Sequence, residues 1–372
     1  MPGSGNSTVD RMQQQLAAAA SSIFTLHDPV SRAVVRSGLE VMIESAGVLL
    51  RIMADEDRNI WQELQNKLQA FYVFEHVDSI LGAIKDRRFS LSELVQAAAL
   101  LDPYLSVWAT EGLGHYYTEL QDQQALLSDS LFRDSVADLP PWSIVPLHTG
   151  MGLSLAQSIL VRAGSYQAAA DLFLESCHHH SEEHYWGAAY EALGLVVYNL
   201  HPDWLLPVHS YLSQQSQDLL SYFWHGAGRA IYFSPLNFLP WSSAPWAGIA
   251  MCMNEPPTIL AKRNALAGFS WAMTLVNIRH PEILALLLSH HGRNLPEPDA
   301  FINGVYSSAI VWCASMPRDD GYVDSLCRYK PPGSHACTPE AWDRFFGQPC
   351  YQALDDYQTV RSQKQIASLF RL

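Results

Sequence analysis

The residues best suited to chemistry in this chain are His225 and Arg229, which lie four positions apart in the block His225-Gly-Ala-Gly-Arg-Ala-Ile-Tyr-Phe. Glu111 and His115 have the same spacing, and on a helix each pair shares one face. Acidic, imidazole and guanidinium groups on one face can hold an acid and a base, or anchor a carboxylate or thioester oxygen. The spacing therefore predicts a polar site that includes both pairs.

Two further residues join this set through an internal repeat. The form G-x-G occurs at Gly112, Gly150 and Gly226, which are separated by 38 and 76 residues. Residues at equivalent positions of a repeat face the same side, so we predict one shared set of polar positions. Its members are Glu111, His115, His148, Glu191, His225 and Arg229. The alternative is that these are buried polar groups at the ends of helices, or surface residues.

The repeat also predicts the fold. A period near 38 residues with two helical segments per unit is typical of an all-α array of α-hairpins. Six units fit between about 110 and 330, with the first helix of each unit beginning at the glycines, as in Gly152–Val161. Ser165 is the predicted N-cap of a second helix. Six hairpins can close into an α/α toroid, and the sequence leaves that ring and an open superhelix as alternatives.

The segments outside the repeat have their own patterns. We predict a disordered or partly helical terminus over 1–28, a helical cap over 29–109 and a tail with short helices over 331–372. Within the cap, apolar periodicity predicts helices over 31–52, 58–84 and 91–101. Ser90 with Glu93 forms a capping-box pattern for the third of these helices, and Asp102-Pro103 ends it. In the tail, Thr338 and Pro339 are the predicted first residues of a short helix.

An uncharged run from Ala230 to Asn254 is long enough to span a bilayer, but Pro235, Pro240 and Pro245 interrupt it. We therefore predict no membrane span here. We predict instead a segment that is too broken to form a helix and that lines or covers an apolar ligand pocket. The predicted ligand-binding residues are Gly226, Gly228, Tyr232, Phe233, Phe238, Trp241 and Trp246. The alternative is ordinary packing across the array.

A short match to the zinc-protease pattern H-x-x-E-H is formed by His180, Glu183 and His184. On one helix the two imidazoles could bind zinc, with the carboxylate as base. The same residues fall where a turn between helices is expected, and we assign no metal site. Four cysteines near the C-terminus could form a local disulfide or metal clip, or be separate buried thiols: Cys313, Cys327, Cys337 and Cys350.

Composition narrows the classes of function. The 372 residues carry a formal net charge of −14 with only 23 Lys and Arg, which disfavours nucleic acid and anionic membrane surfaces as partners. Six cysteines are too few for a disulfide framework in a chain of this length, so we expect the protein to be located in the reducing cytoplasm. The chain has no P-loop, dinucleotide fingerprint or esterase elbow, and we assign no cofactor.

Several blocks resemble, in the same order, a family of uncharacterised proteins encoded beside enediyne-type polyketide synthases. They are His148–Gly152, His184–Gly194, His225–Phe233 and Leu266–Ala272. The strongest pattern of that family, G-x-G-R-x-L-W/Y-F, is matched by Gly226, Gly228, Arg229, Tyr232 and Phe233, with Ile231 for Leu. The resemblance covers about residues 110–310 and implies a role in maturing a long polyene or polyketide product. It implies no catalytic residue.

The first hypothesis is therefore a protein that binds, and as a cofactor-independent enzyme could transform, a long apolar or carrier-bound polyketide intermediate. His225 and Arg229 would lie at the polar end of its cavity. The second is a non-catalytic helical scaffold that binds another protein, such as a polyketide synthase. The third is a zinc hydrolase that uses the H-x-x-E-H residues. A deep aromatic pocket favours the first hypothesis, and an open groove with exposed apolar patches favours the second.

Overall fold

The structure is a computed structural model that describes residues 55–81, 90–123, 132, 138–234, 244–291, 295–332 and 337–372. Within these ranges every regular element is helical and no strand occurs, so the predicted all-α class is confirmed. The predicted N-terminal segment 1–28 and the predicted helix over 31–52 lie outside the described residues.

The α-helices are numbered here in chain order through the described residues. They are α1 (Asp55–Glu75), α2 (Val77–Ile80), α3 (Leu91–Ala98), α4 (Pro103–Gln123), α5 (Ile144–Arg162), α6 (Tyr166–His180), α7 (Trp186–Tyr190), α8 (Ala192–Leu200), α9 (Leu205–Gln215), α10 (Gln217–Tyr232), α11 (Ala244–Asn254), α12 (Ile259–Val276), α13 (Pro281–His291), α14 (Pro298–Ser315), α15 (Tyr322–Arg328), α16 (Pro339–Trp342) and α17 (Gln348–Ser362). Short 3₁₀ turns span Pro141–Ser143, Glu183–Tyr185, Pro202–Trp204 and Ile366–Phe370, and a π-helical turn spans Asp343–Gly347.

Side-chain caps fix several helix starts, as the sequence predicts. The hydroxyl of Ser90 accepts the backbone N–H of Glu93 at 3.3 Å, and the Glu93 carboxylate accepts the N–H of Ser90 at 2.7 Å. This capping box is confirmed, and so are the caps at Ser165 and Thr338. Pro103 is the first residue of α4.

Two helix ends differ from prediction. The segment predicted as one helix over 58–84 is interrupted at His76, which separates α1 from α2 within the described residues. The imidazole Nδ1 of His76 lies 3.0 Å from the carbonyl oxygen of Tyr72, one turn back, and its ring stacks on the Tyr72 ring at 4.9 Å. The third helix ends at Ala98 rather than Leu101.

The prediction that helices begin at the repeated glycines is wrong. Gly112, Gly150 and Gly226 lie in the interiors of α4, α5 and α10. A Cβ atom on Gly150 would overlap the carbonyl oxygen of Glu111, and one on Gly226 would overlap that of Glu191. These glycines weaken each helix intrinsically, but they let two backbones approach closely where the helices cross.

The two glycines of each G-x-G pair face opposite neighbours. In α10, Gly226 contacts Glu191, which precedes it in the chain, whereas Gly228 contacts Ala265 in α12. The pairs in α4 and α5 follow the same rule, with the first glycine against the preceding helix and the second against the following one. The G-x-G pairs of α4, α5 and α10 therefore share one pattern of helix–helix contact.

These contacts give the order of packing. Helix α1 packs on α4, α4 on α5, α5 on α7 and α8, α8 on α10, α10 on α12, α12 on α14, and α14 on α17. One hydrophobic core runs through all of them, from Ala70 in α1 to Phe370 in the last turn. The C-terminal turn is thus part of the core rather than a peripheral tail.

The proline-interrupted run is helical at both ends. Helix α10 continues to Tyr232, and α11 spans Ala244–Asn254, so the prediction of a segment too broken for a helix is wrong there. Pro245 is the second residue of α11, where the backbone N–H needs no partner within the helix. Residues 235–243 lie outside the described ranges. A different stretch, Pro141–Arg162, has the length and composition to cross a bilayer, but 83% of its apolar window is buried inside the fold.

Candidate functional site

Four of the six predicted polar residues meet where α10 packs against the junction between α7 and α8, and Glu111 of α4 joins them through its side chain. The Nδ1 atom of His225 lies 2.7 Å from Oε2 of Glu191, and the other oxygen of Glu191 accepts a hydrogen bond from Nη1 of Arg229. Nη2 of Arg229 lies 3.3 Å from Oε1 of Glu111. We refer to Glu111, Glu191, His225 and Arg229 as the buried cluster.

Burial sets the electrostatics of this cluster. All four residues are buried, and Glu191 and His225 have no exposed surface. Burial raises the pKa of Glu111, while Arg229 opposes the rise. Burial alone would lower the pKa of Arg229, but Glu191 and Glu111 raise it above its ordinary value. The guanidinium therefore remains a fixed positive charge, and the Glu111 carboxyl has an increased tendency to be neutral.

Two aromatic residues that the sequence analysis did not select enclose the cluster. The Cζ atom of Arg229 lies 4.5 Å from the ring centre of Trp271, a cation–π contact. The His225 ring lies edge to face with Trp271 at 6.0 Å and with Phe370 at 6.2 Å. Trp271 belongs to the block Leu266–Ala272, which carries part of the family resemblance. No sequence signal marks Phe370, because its contact depends on how the C-terminal turn packs.

An aromatic pocket lies next to the cluster. Phe71 and Phe74 of α1, Trp108 of α4 and Phe233 form its apolar wall, and Glu111 and Arg229 form its charged part. Its cavity volume is about 60 Å³, and about 490 Å³ when the space at its open mouth is included. His225 and Glu191 do not line it. The pocket is thus apolar, open to solvent and charged at one place.

The other two predicted polar residues lie elsewhere. The His115 Nε2 atom is 2.8 Å from the amide oxygen of Gln157. The His148 Nδ1 atom is 2.7 Å from the carbonyl oxygen of Ile144, and Nε2 accepts the backbone N–H of Glu182 at 3.2 Å. Burial lowers the pKa of His148 to about 4. This neutral imidazole joins α5 to the turn before α7, a structural role.

The predicted ligand-binding residues are also divided. Phe233 lines the aromatic pocket. Neighbouring helices occupy the space beside Gly226 and Gly228, so these two glycines offer no surface to a ligand. Phe238 and Trp241 lie outside the described residues, as does the side chain of Trp246. Their predicted role in covering a ligand stays a prediction.

Tyr232 lies in a second buried network that the sequence analysis missed. Its hydroxyl donates to Glu63 at 2.9 Å and accepts from Asn277 at 2.9 Å. The Lys67 ammonium lies 3.2 Å from the Glu63 carboxylate and 4.1 Å from the Tyr232 ring centre. Burial lowers the pKa of Lys67. Charged residues four apart within an otherwise apolar helix face were the available signal.

The H-x-x-E-H residues do not share a helix. Helix α6 ends at His180, and Glu183 and His184 belong to the following 3₁₀ turn, so the predicted common face is wrong and the expected inter-helix turn is observed. Over the described residues, no three His, Cys, Asp or Glu side chains are placed to hold a metal ion. The six cysteines carry free thiols. Of the C-terminal four, Cys337 and Cys350 are buried and the other two are half-buried.

No known protein family matches the chain, and neither a curated protein nor a solved structure is similar to it at a significant level. The cluster and the pocket must therefore be interpreted from their own chemistry.

Proposed function

We propose that the protein binds an apolar small molecule in the aromatic pocket, with an oxygen-bearing end of the ligand against Glu111 and Arg229. The observation that supports this most directly is the meeting of an aromatic wall with a buried guanidinium in one open cavity. Ligand sites in proteins typically combine an apolar lining with few, fixed polar groups.

The polar end suits an oxygen acceptor. Arg229 is held by two carboxylates, so its orientation costs little further conformational entropy when a ligand binds. Burial raises the pKa of Glu111, which favours a neutral carboxyl that can donate a hydrogen bond. A ketone, ester, thioester or carboxyl oxygen would therefore find donors at this end of the pocket.

The size of the pocket favours end-on binding. A cavity of about 60 Å³ holds only the end of a ligand chain, and the wider mouth would hold the next part of that chain. An elongated apolar molecule, such as a polyene or a chain carried by another protein, fits this shape better than a compact one. We propose a role in polyketide or polyene biosynthesis on this ground and on the motif resemblance. A polyketide synthase would then supply the ligand. We propose that the protein acts in the cytoplasm, and we assign it no cofactor.

We further propose that the described helices are part of the six-unit α-hairpin array, with α1 to α3 as an N-terminal cap. The alternating contacts of the paired glycines support an array, since each repeated helix contacts its two successive neighbours in the same way. If this array closes into a toroid, the buried cluster lies near the axis of the ring.

Binding can be tested with cis-parinaric acid, a polyene carboxylic acid whose fluorescence rises in an apolar site. The wild-type protein should bind it, and Phe71→Trp, which adds bulk to the pocket wall, should weaken binding at least tenfold. Tyr351→Ala, at a half-exposed aromatic residue of α17, is the matched control and should bind as the wild type does.

Equal binding by the wild type and by Phe71→Trp would show that the pocket is not the site. A folded wild-type protein that binds no probe would overturn the ligand-binding function and favour the scaffold hypothesis. If the probe binds in the pocket, native mass spectrometry of the protein purified from its own host identifies the natural ligand that the protein retains.

A further inference from the structure

Three buried nitrogen atoms beside the cluster have no hydrogen-bond partner in the described part of the chain. They are Nε2 of His225, Nε of Arg229 and Nε1 of Trp271. The three side chains are at most 3% exposed. A buried polar atom without a partner destabilises the fold, so folded proteins keep few of them. Arg229 and His225 each contact the Trp271 ring, so the three atoms belong to neighbouring side chains.

Their placement is fixed by the surrounding contacts. Arg229 lies over the face of Trp271, and His225 meets the same ring edge to face. Glu191 binds Nη1 of Arg229 and Nδ1 of His225, so one carboxylate sets the orientation of both residues and leaves their Nε and Nε2 atoms free. Phe370 packs against both His225 and Trp271.

The types of these atoms define what they can bind. An oxygen of Glu191 lies 2.7 Å from Nδ1 of His225 and accepts a hydrogen bond there, and in this Nδ1–H tautomer Nε2 is an acceptor. Nε of Arg229 and Nε1 of Trp271 are donors only. The set therefore offers two donors and one acceptor. A hydroxyl oxygen complements this set, since it accepts two hydrogen bonds and donates one.

We propose that His225, Arg229 and Trp271 form a binding site for a single hydroxyl oxygen, belonging to water in the free protein or to an alcohol group of the ligand. The second source rests on the proposed function: of the three residues, Arg229 lines the aromatic pocket, and His225 and Trp271 lie behind it. In either case the hydroxyl proton points at Nε2 of His225, which is positioned as a base by Glu191. A carboxylate or chloride does not fit, since neither can donate to Nε2.

Crystals of the full chain that diffract to about 2 Å or better test the site directly. We expect one oxygen peak within about 3.2 Å of Nε2 of His225 and of at least one of the two donors. Soaking with ethanol distinguishes the sources: density that grows by two carbon atoms identifies an alcohol site, and an unchanged peak identifies water. An empty site, a halide with anomalous signal, or protein partners for all three nitrogens would overturn the proposal.

A solution measurement gives an independent answer. The indole N–H signal of Trp271, assigned by its loss in Trp271→Phe, should show magnetisation transfer from the bound hydroxyl. His225→Phe keeps an aromatic ring but removes the acceptor Nε2 together with Nδ1, and should reduce that transfer. Trp224 is the internal control, because its indole donates directly to Nδ1 of His209 at 2.9 Å and should show none. Failure of parinaric acid to bind would leave this result unaffected.

Discussion

The Nδ1 atom of His225 lies 2.7 Å from Oε2 of Glu191, and neither side chain has any exposed surface. The same carboxylate also binds Arg229, four residues further along α10. One acidic side chain from another segment thus holds both basic groups of the most distinctive block in the sequence. The stability of the fold should therefore depend on this carboxylate and on the close helix crossing that places it.

Removing the charge of Glu191 should destabilise the protein strongly. Glu191→Gln keeps the volume but leaves Glu111 as the one carboxyl partner of Arg229 among the described residues, and breaking a buried ion pair costs about 3–5 kcal/mol. Urea unfolding would measure the loss. Asp324→Asn is the control, because its pair with Arg328 is exposed and should change stability by less than about 1 kcal/mol. Equal effects of the two substitutions would contradict the importance of the cluster.

Adding a methyl group at a helix crossing should also destabilise the protein. In Gly226→Ala the new Cβ overlaps the carbonyl oxygen of Glu191, so the two backbones must separate, at a cost of about 1–3 kcal/mol or more. Gly164→Ala is matched to it, because a Cβ there has no atom within 4 Å. We expect Gly164→Ala to change the unfolding free energy by about 0.5 kcal/mol or less. A tolerant Gly226 would show that the crossing is looser than described.

The burial of His148 should make stability depend on pH. Its pKa falls from an ordinary 6.5 to about 4 in the folded protein, so the unfolded chain binds a proton more readily. The contribution of neutral His148 is complete above pH 6.5 and is lost as the pH falls towards 4. The loss is roughly 3 kcal/mol. Unfolding of the wild type and of His148→Gln between pH 7 and 4 measures it, and parallel profiles would refute it.

The network around Lys67 should show strong coupling. Lys67→Met leaves the buried Glu63 carboxylate without its nearby cation and should cost about 3 kcal/mol or more. Adding Glu63→Gln removes the stranded charge while an amide can still meet the Tyr232 hydroxyl, so the double variant should regain part of that loss. Additive losses in the urea-unfolding cycle would mean that the two side chains do not interact.

Local sequence signals were sufficient for much of the helical framework. The caps at Ser90, Ser165 and Thr338 depend on residues within one turn, so they could be read directly from the sequence. The glycine spacing correctly marked positions repeated from helix to helix, but it was assigned to helix starts. In the sequence, a glycine at a close helix crossing cannot be distinguished from a glycine at a helix end. Only the position of the neighbouring backbone distinguishes the two.

The candidate site was accessible to the sequence only in part. His225 and Arg229 lie four residues apart, and Glu191 lies 38 residues before Arg229, so these spacings placed all three in one set. His148 lies one residue away from the repeated positions, and a shift of one residue turns a side chain by about 100° around the helix. His115 satisfies the spacing, yet its Nε2 atom lies against Gln157, a neighbour that the spacing does not reveal. Trp271 and Phe370 carried no periodic signal for this role.

The sequence by itself thus determined the all-α class of the described residues, where several helices begin, and which glycines have the same spacing. The tertiary structure alone decided that Glu111 joins Glu191 at Arg229, that Phe71 and Phe74 of α1 line the pocket, and that the C-terminal turn closes over His225. The physical reason is distance along the chain. Capping and periodicity act over a few residues, whereas the contact of Glu111 with Arg229 joins residues 118 positions apart, whose meeting depends on the packing of every helix between them.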